Sequence, residues 1–597
     1  MVYTASTAFF EAITAAGVSH VFVNLGSDHP SIMEAIVSGQ NRRKEGKAGF
    51  PEIITCPNEM VALSLADGYA RLTSRPQCVI VHVDVGTQGL GAAIHNASCG
   101  RAPVLIFAGL SPFTLEGEMR GSRSEYIHWI QDVPDQKQIV SQYCRYAGEI
   151  KTGKNVKQMV ERALSFAMSD PKGPVYLCGA REVMEEDLTP YELEREYWSP
   201  VEPAALPGKG VRAIADALVK AQEPLVVVGF TGRNHAAVQE LVDLADHVKG
   251  LRVLDTGGSD MCFPANHPAW LGLRYSGEPR IKTADVILVI DCDVPWINTQ
   301  AHPKPGAKVF HIDVDPLKQQ MPVFYIKALQ RYRADAYTAL AQLNECLSAN
   351  FKDQLSSNLF TDRWTALQES HKQKLETIAA EAKVDENGHF ATPYLAQQLK
   401  KLCPNDTIWA IEAVTQTPFI ADQLQVTQPG SWINCGGGGL GWSGGGALGI
   451  KLATDYEGKK RFVCQIVGDG TYLFSVPGSV YWISKRYNIP VLTIVLNNKG
   501  WNAPRKSMML VHPDGEGSKV SNKELNISFE PTPDYSGIAK AAAGGEIWGA
   551  HASTAEELGR LLPEAIKSVL NGITAVLDAH LEGPEGKYGG GKAALIG

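Results

Sequence analysis

Short, mainly apolar runs recur along this chain, many of them followed by a stretch with helical spacing. "PEIIT" (51–55) leads into "NEMVALSLADGYARL" (58–72), then come "CVIVHV" (78–83), a glycine-rich turn and helix, and "PVLIFAG" (103–109). Runs this short and this apolar, with no polar alternation, are the mark of strands buried on both faces of a parallel sheet. "PKGPVYLC" (171–178) reads as the last strand of this first unit, and the polar stretch from Glu182 to Gly210 as a linker. A second unit runs through "PLVVVG", "LRVLDT", "ADVILVIDCD" and "AKVFHIDVDP". A charged helical region near 330–385 then leads to a third, with "DTIWAIE", "SWINCGGGG", "RFVCQIVGDG", "IPVLTIVLNN" and "ITAVLDAHL". The expectation is an α/β chain of three doubly wound parallel-sheet domains, over 1–185, 205–350 and 375–585. All three show the same alternation without an obvious sequence repeat. Polar residues cluster just after the strands, where open sheets of this class bind ligands.

With 597 residues, one ordinary core is not enough, in keeping with several domains. The 56 basic and 64 acidic side chains leave a net charge of −8 with no block of one sign, so neither nucleic acid nor a membrane surface is an expected partner. The 11 cysteines are odd in number and lack paired CxxC spacing, as in a reducing compartment. "MVYTASTAFFEAITAAGVSH" lacks the basic-then-apolar order of a signal peptide, and no apolar run approaches the ~20 residues that cross a bilayer. A cytoplasmic protein is expected.

One stretch carries chemistry. "GDG" (468–470) is followed by 26 residues and an asparagine pair, Asn497–Asn498, with a helical segment and a buried strand between. Neighbouring strand ends of a parallel sheet would let Asp469 and Asn498 offer two oxygens to one Mg2+, a cation that completes its shell with phosphate and water. Gly468 and Gly470 allow close backbone approach to a diphosphate at a helix N-terminus, and Thr471 adds a hydroxyl. "GDG" by itself is an ordinary turn; the joint pattern is not. A competing reading uses "GLGWSG" (439–444) as a GxGxxG dinucleotide turn with Asp469 on a ribose hydroxyl, which makes the chain a nicotinamide oxidoreductase. That reading gives no task to the second glycine of GDG, to the asparagine pair or to the first unit.

On these residues the whole chain resembles the thiamine diphosphate enzymes of the decarboxylase and acetohydroxyacid synthase superfamily. The resemblance implies pyrimidine-binding, middle and diphosphate-binding domains, with thiamine diphosphate and Mg2+ as cofactors. It implies Asp469, Asn498 and the Gly500 carbonyl as metal ligands. Glu59, in "CPNEMVALSLADGYAR", matches the family's catalytic glutamate, a carboxyl that must be protonated against the aminopyrimidine and hence desolvated. A first-turn helix glutamate is otherwise commonplace. In "NCGGGGLGWSGGGALGI" the family places backbone contacts to the pyrimidine, including Gly438, with Leu440 as the apolar wedge that bends the cofactor. Thr415 matches a diphosphate contact.

Within that family the first domain is most similar to benzoylformate decarboxylase. "NLGSDH" puts Ser27, and "VIVHVDVGTQG" puts His82, on its substrate-side serine and histidine. The middle domain departs: its active-site histidine is replaced in "DCDVPWIN", with Asn298 the nearest match. No FAD or ADP contact set is evident there. The resemblance therefore implies a lyase or carboligase acting on a 2-oxo acid or acyloin. A non-catalytic cofactor-binding relative is disfavoured by the intact Glu59. The family's assembly is a homodimer at minimum and commonly a homotetramer, with Glu59 of one subunit serving the cofactor of another. Trp501 and Trp442 are candidates for an apolar substrate wall, and Arg505 for a carboxylate contact.

Overall fold

The computed structural model describes residues 3–275, 277–323 and 326–581, so residues 582–585 of the expected third domain lie outside the described residues. The apolar runs form three six-stranded sheets in which every paired neighbour is parallel. The first is ordered Glu52–Thr55, His20–Val23, Gln77–Val81, Val104–Leu110, Val175–Ala180, Tyr146–Ile150. The third, Trp432–Asn434, Ile408–Glu412, Val463–Gly468, Leu492–Asn497, Ala575–His580, Trp548–Ala552, repeats the same order of connections. The second differs: Gln330–Arg333, Lys308–Asp313, Val286–Ile290, Pro224–Val228, Arg252–Asp255, Trp270–Leu273. The likeness between the first and third sheets was not visible in the residues. Among the described residues no helix is long and apolar enough to cross a membrane.

Each sheet has a point where the connections reverse direction, and the strand ends on either side open a crevice. In the second sheet it lies between Pro224–Val228 and Val286–Ile290. It is filled from outside by Arg101 of the first domain. The guanidinium bonds Asp291 at 2.6 Å and Asp293 at 2.9 Å and stacks 4.2 Å over Phe230. The corresponding crevices of the first and third sheets receive the residues discussed below.

The first and third domains share one apolar core, which runs from Val81 and Ile106 to Ala447 and Val467. Its centre is a helix pair. Helix Glu59–Thr73 is buried on all sides from Val61 to Arg71 and crosses helix Trp442–Tyr456. The glycines of the second helix are not a linker. A Cβ on Gly449 would lie 2.0 Å from the Leu65 carbonyl oxygen, one on Gly445 2.8 Å from that of Val61, and one on Gly68 2.3 Å from that of Gly446. Each helical glycine costs about 0.5–1 kcal/mol relative to alanine, and here the close backbone approach offsets that cost. Arg71, fully buried, pins the assembly by donating to the carbonyls of Asn434 (2.6 Å) and Ser259 (2.8 Å), one in the third domain and one in the second.

A methyl group at Gly449 meets backbone, not a yielding side chain. Gly449→Ala is therefore expected to lower stability by ~1–3 kcal/mol, the usual range for overpacking. Gly559→Ala, in helix Ala555–Leu570 with open space around it, should be neutral or stabilise by up to ~1 kcal/mol. Urea denaturation midpoints of the two variants check the contrast.

Candidate active site

Two half-sites lie at the two crevices. In the first domain the pairings Val23↔Thr55 and Val23↔Ile80 align three neighbouring strand ends. The turns that leave them carry Ser27, Glu59 and His82, so residues far apart in sequence arrive on one rim. Glu59 opens its helix behind the N-cap Asn58, whose side chain accepts from the Val61 N–H at 3.2 Å. Its carboxylate rests against Gly89, where a Cβ would sit 2.7 Å from Oε2. The chain at Gly89 comes from the turn at Asp84, a non-glycine residue held at φ +45°.

His82 has a partner that the sequence reading missed. Its Nδ1 is hydrogen-bonded to Asp28 Oδ1. Asp28 Oδ2 accepts from the Val83 N–H at 3.0 Å and lies 3.3 Å from His29 Nε2. Gly26 makes room, since a Cβ there would be 2.0 Å from His82 Nδ1. Burial pulls the His82 imidazole down, but the hydrogen bond and charge of Asp28 outweigh it and hold the group above the ordinary histidine value. Burial keeps His29 below that value. Ser27 Oγ lies 3.2 Å from Nε2 of a third imidazole, His128, which burial and the nearby Arg181 hold low. Asn298, the nearest match to a middle-domain histidine, is exposed; the imidazole beside Ser27, that of His128, comes from the first domain itself.

In the third domain Gly468 pairs with Leu496, so Asp469 and the asparagine pair leave adjacent strands side by side. Asp469 is buried and accepts from the N–H groups of Gly470 (2.7 Å) and Gly500 (3.0 Å). Burial pushes its carboxyl up to about 6, against those donors. The Asn498 amide lies 3.3 Å from Asp469 Oδ2 and 2.8 Å from the Gly500 carbonyl, with its far end held by Asn502. Turning that amide over presents Oδ1 to the same point. Asp469, Asn498 and Gly500 thus bring three hard oxygens together at a buried carboxylate, the donor set that suits Mg2+. Among the described residues no cluster of three His, Cys, Asp or Glu offers a competing metal site.

The remaining expected residues have mixed fates. Thr471 is buried in helix Asp469–Phe474, beside Gly468, and Thr415 is half-buried in the short turn Val414–Gln416. Gly438 is exposed and Leu440 half-buried just ahead of helix Trp442–Tyr456. A Cβ on Gly470 would lie 2.2 Å from the Trp501 indole nitrogen and 2.8 Å from Phe529, so this glycine gives room to two rings. Trp501 itself is about one-third exposed, edge-on to Phe529. Trp442 is not a pocket wall; it is 1% exposed, packed beneath Arg71. Arg505 is engaged with the Val520 carbonyl and the Asn522 side chain.

A buried carboxylate that sequence reasoning passed over decides between the two cofactor readings. Glu412, 1% exposed at the end of its strand, accepts from the N–H groups of Gly441 (3.0 Å), Trp442 (3.2 Å) and Ser443 (2.8 Å). Burial lifts it to about 7. The helix N-terminus that a GxGxxG reading reserves for a pyrophosphate is already filled by an internal carboxylate. The dinucleotide alternative loses its anion site.

Comparison with known proteins agrees with this geometry. Three domain descriptions of one family match in order: thiamine pyrophosphate enzyme N-terminal TPP binding domain over residues 3–139, central domain over 211–343, and C-terminal TPP binding domain over 413–578. Benzoylformate decarboxylase of Pseudomonas aeruginosa is 24% identical over 576 residues, covering 94% of this chain and 96% of that protein. Acetolactate synthase isozyme 3 large subunit of Escherichia coli is 24% identical over 546 residues, with 89% and 88% covered. Among solved structures, a thiamine diphosphate-dependent 4-hydroxybenzoylformate decarboxylase from Rhodococcus jostii superposes with a TM-score of 0.75 at 20% identity, covering 97% of this chain and 99% of that one. With the Asp469–Asn498–Gly500 oxygens in the third domain and Glu59 in the first, this chain belongs to the thiamine diphosphate-dependent enzyme superfamily.

Proposed function

We propose that this protein is a thiamine diphosphate- and Mg2+-dependent enzyme that cleaves or forms the carbon–carbon bond beside a carbonyl, acting on a 2-oxo acid or acyloin as decarboxylase or carboligase. The observation that carries the reading is the meeting of Asp469, Asn498 and the Gly500 carbonyl at adjacent strand ends. These residues would hold the metal and, through it, a diphosphate. Bound there, the cofactor supplies an electron sink for the pair released when such a bond breaks.

The chain's own residues account for the proton traffic. In this reading Glu59, set at a helix start beside Gly89, exchanges a proton with a ring nitrogen of the bound cofactor. His82, whose hold on a proton Asp28 strengthens, is suited to donate one. His128, kept readily neutral, can accept from or orient the Ser27 hydroxyl. Trp501, Phe474 and Phe529 supply apolar surface near the metal loop, which favours a medium or bulky apolar acyl group over pyruvate alone. All 11 cysteines are unpaired, which supports a reducing, cytoplasmic setting.

Chelated, desalted protein should be inactive across pyruvate, longer 2-oxo acids, benzoylformate and acyloins. Activity should return only with thiamine diphosphate and Mg2+ together, read as CO2 release or coupled product. Recovery with NAD instead would overturn the reading.

The reading also includes a shared site, with Glu59 of one subunit serving the metal half of its partner in a homodimer or a dimer of dimers. Glu59→Gln keeps shape but cannot carry the proton, so turnover is expected to fall ~10²–10⁴-fold. Mixing it with Asp469→Ala chains should restore part of the activity through hybrid sites. Confirmed subunit exchange without any recovery would contradict the shared site.

A further inference from the structure

The loop ahead of helix Trp442–Tyr456 is held by two consecutive residues of helix Gly91–Cys99 in the first domain. Asn96, buried, donates from Nδ2 to the Gly439 carbonyl at 2.6 Å and accepts at Oδ1 from the Gly439 N–H at 3.0 Å. One side-chain amide thereby satisfies both polar groups of one residue, as a strand partner would. His95 Nε2 accepts from the next N–H back, that of Gly438, at 3.0 Å. The fit leaves no room for side chains. A Cβ on Gly439 would lie 2.5 Å from the Ala92 carbonyl oxygen, one on Gly437 2.7 Å from His95 Nε2, and one on Gly436 2.3 Å from the Asn96 carbonyl oxygen.

Three backbone groups are thus taken: Gly438 N–H, Gly439 N–H and Gly439 C=O. The carbonyl of Gly438 and the N–H of Leu440, on either side of the clamped residue, have no hydrogen-bond partner among the described residues. An acceptor and a donor one residue apart match the edge of an aminopyrimidine, whose exocyclic amine donates and whose adjacent ring nitrogen accepts. Nothing else in the sequence of this loop fixes which groups face outward. A run of four glycines can adopt many backbone conformations, and rotating any one peptide plane exchanges donor for acceptor.

We propose that Asn96 and His95 are positioning residues that set the register of the 438–440 loop, so that it presents Gly438 C=O and Leu440 N–H to the 4′-amino face of the cofactor. The proposal rests on the thiamine diphosphate reading above and adds to it the source of the loop's selectivity. The clamp comes from the same chain as the loop, whereas Glu59 approaches from the partner in the shared site.

The test is binding to the metal-supplemented apoprotein, followed by quenching of tryptophan fluorescence. Two ligands are compared: thiamine diphosphate and oxythiamine diphosphate, in which an oxygen replaces the 4′-amine. Wild type should prefer thiamine diphosphate. Asn96→Ala should weaken thiamine diphosphate about 10–100-fold, the cost of unpairing buried polar groups, and bring the ratio of the two affinities towards one. His95→Ala, at a half-buried position that spares the fold, should narrow the ratio in the same direction, and His95→Gln, which can still accept, should recover it. Variants that lose affinity for both ligands equally would show general loosening and overturn the proposal, as would variants that bind both as wild type does. Wild type that binds neither ligand would overturn the function itself, and this proposal with it.

Discussion

The contact on which the rest depends is the glycine-lined crossing of helices Glu59–Thr73 and Trp442–Tyr456. It packs the start of one helix against the start of the other within the chain, and so fixes the first domain on the third. Backbones approach so closely at Gly68, Gly445 and Gly449 that no larger residue fits, and close-packed interiors yield little to such intrusion. The glycine run that looks flexible in the sequence is among the most constrained segments of the chain.

Burying charge around that seam needs compensation, and backbone dipoles supply much of it. Glu412 is held by three N–H groups at a helix start, Arg71 by carbonyls from two other domains, and Asp469 by the N–H groups of Gly470 and Gly500. Asp469 alone keeps an open side, shared with Asn498 and Gly500. A buried carboxylate stripped of water and facing two more oxygens favours a cation over its own proton. Arg101 plays the converse role in the second domain, where its charge fills the strand-end crevice among Asp291 and Asp293.

Much of the fold was legible because parallel strands buried on both faces leave an unmistakable apolar trace, as in Val286–Ile290 and Leu492–Asn497. Several of the strands that escaped notice lack it. Tyr146–Ile150 and Trp548–Ala552 are edge strands with half-exposed, small or polar residues, and His20–Val23 opens on a buried histidine satisfied by Ser19. The candidate site was legible where chemistry is written in local spacing, as at GDG and the asparagine pair, or where a family pattern marks Glu59. It was illegible where function depends on contact across the chain. Asp28 meets His82 across 54 positions, Ser27 meets His128 across 101, and Asn96 meets Gly439 across 343. Glu412 ended a strand like any other acid until its helix partner was in place.

The central claim is that one half of the chain holds the cofactor through a metal and the other half acts on it by proton transfer. Calorimetric titration of thiamine diphosphate into the apoprotein, with and without Mg2+, separates the two roles. The account predicts Mg2+-dependent binding by wild type, nearly the same affinity for Glu59→Gln, and loss of both affinity and Mg2+ dependence for Asp469→Ala. Binding by Asp469→Ala with wild-type affinity and metal dependence would contradict it.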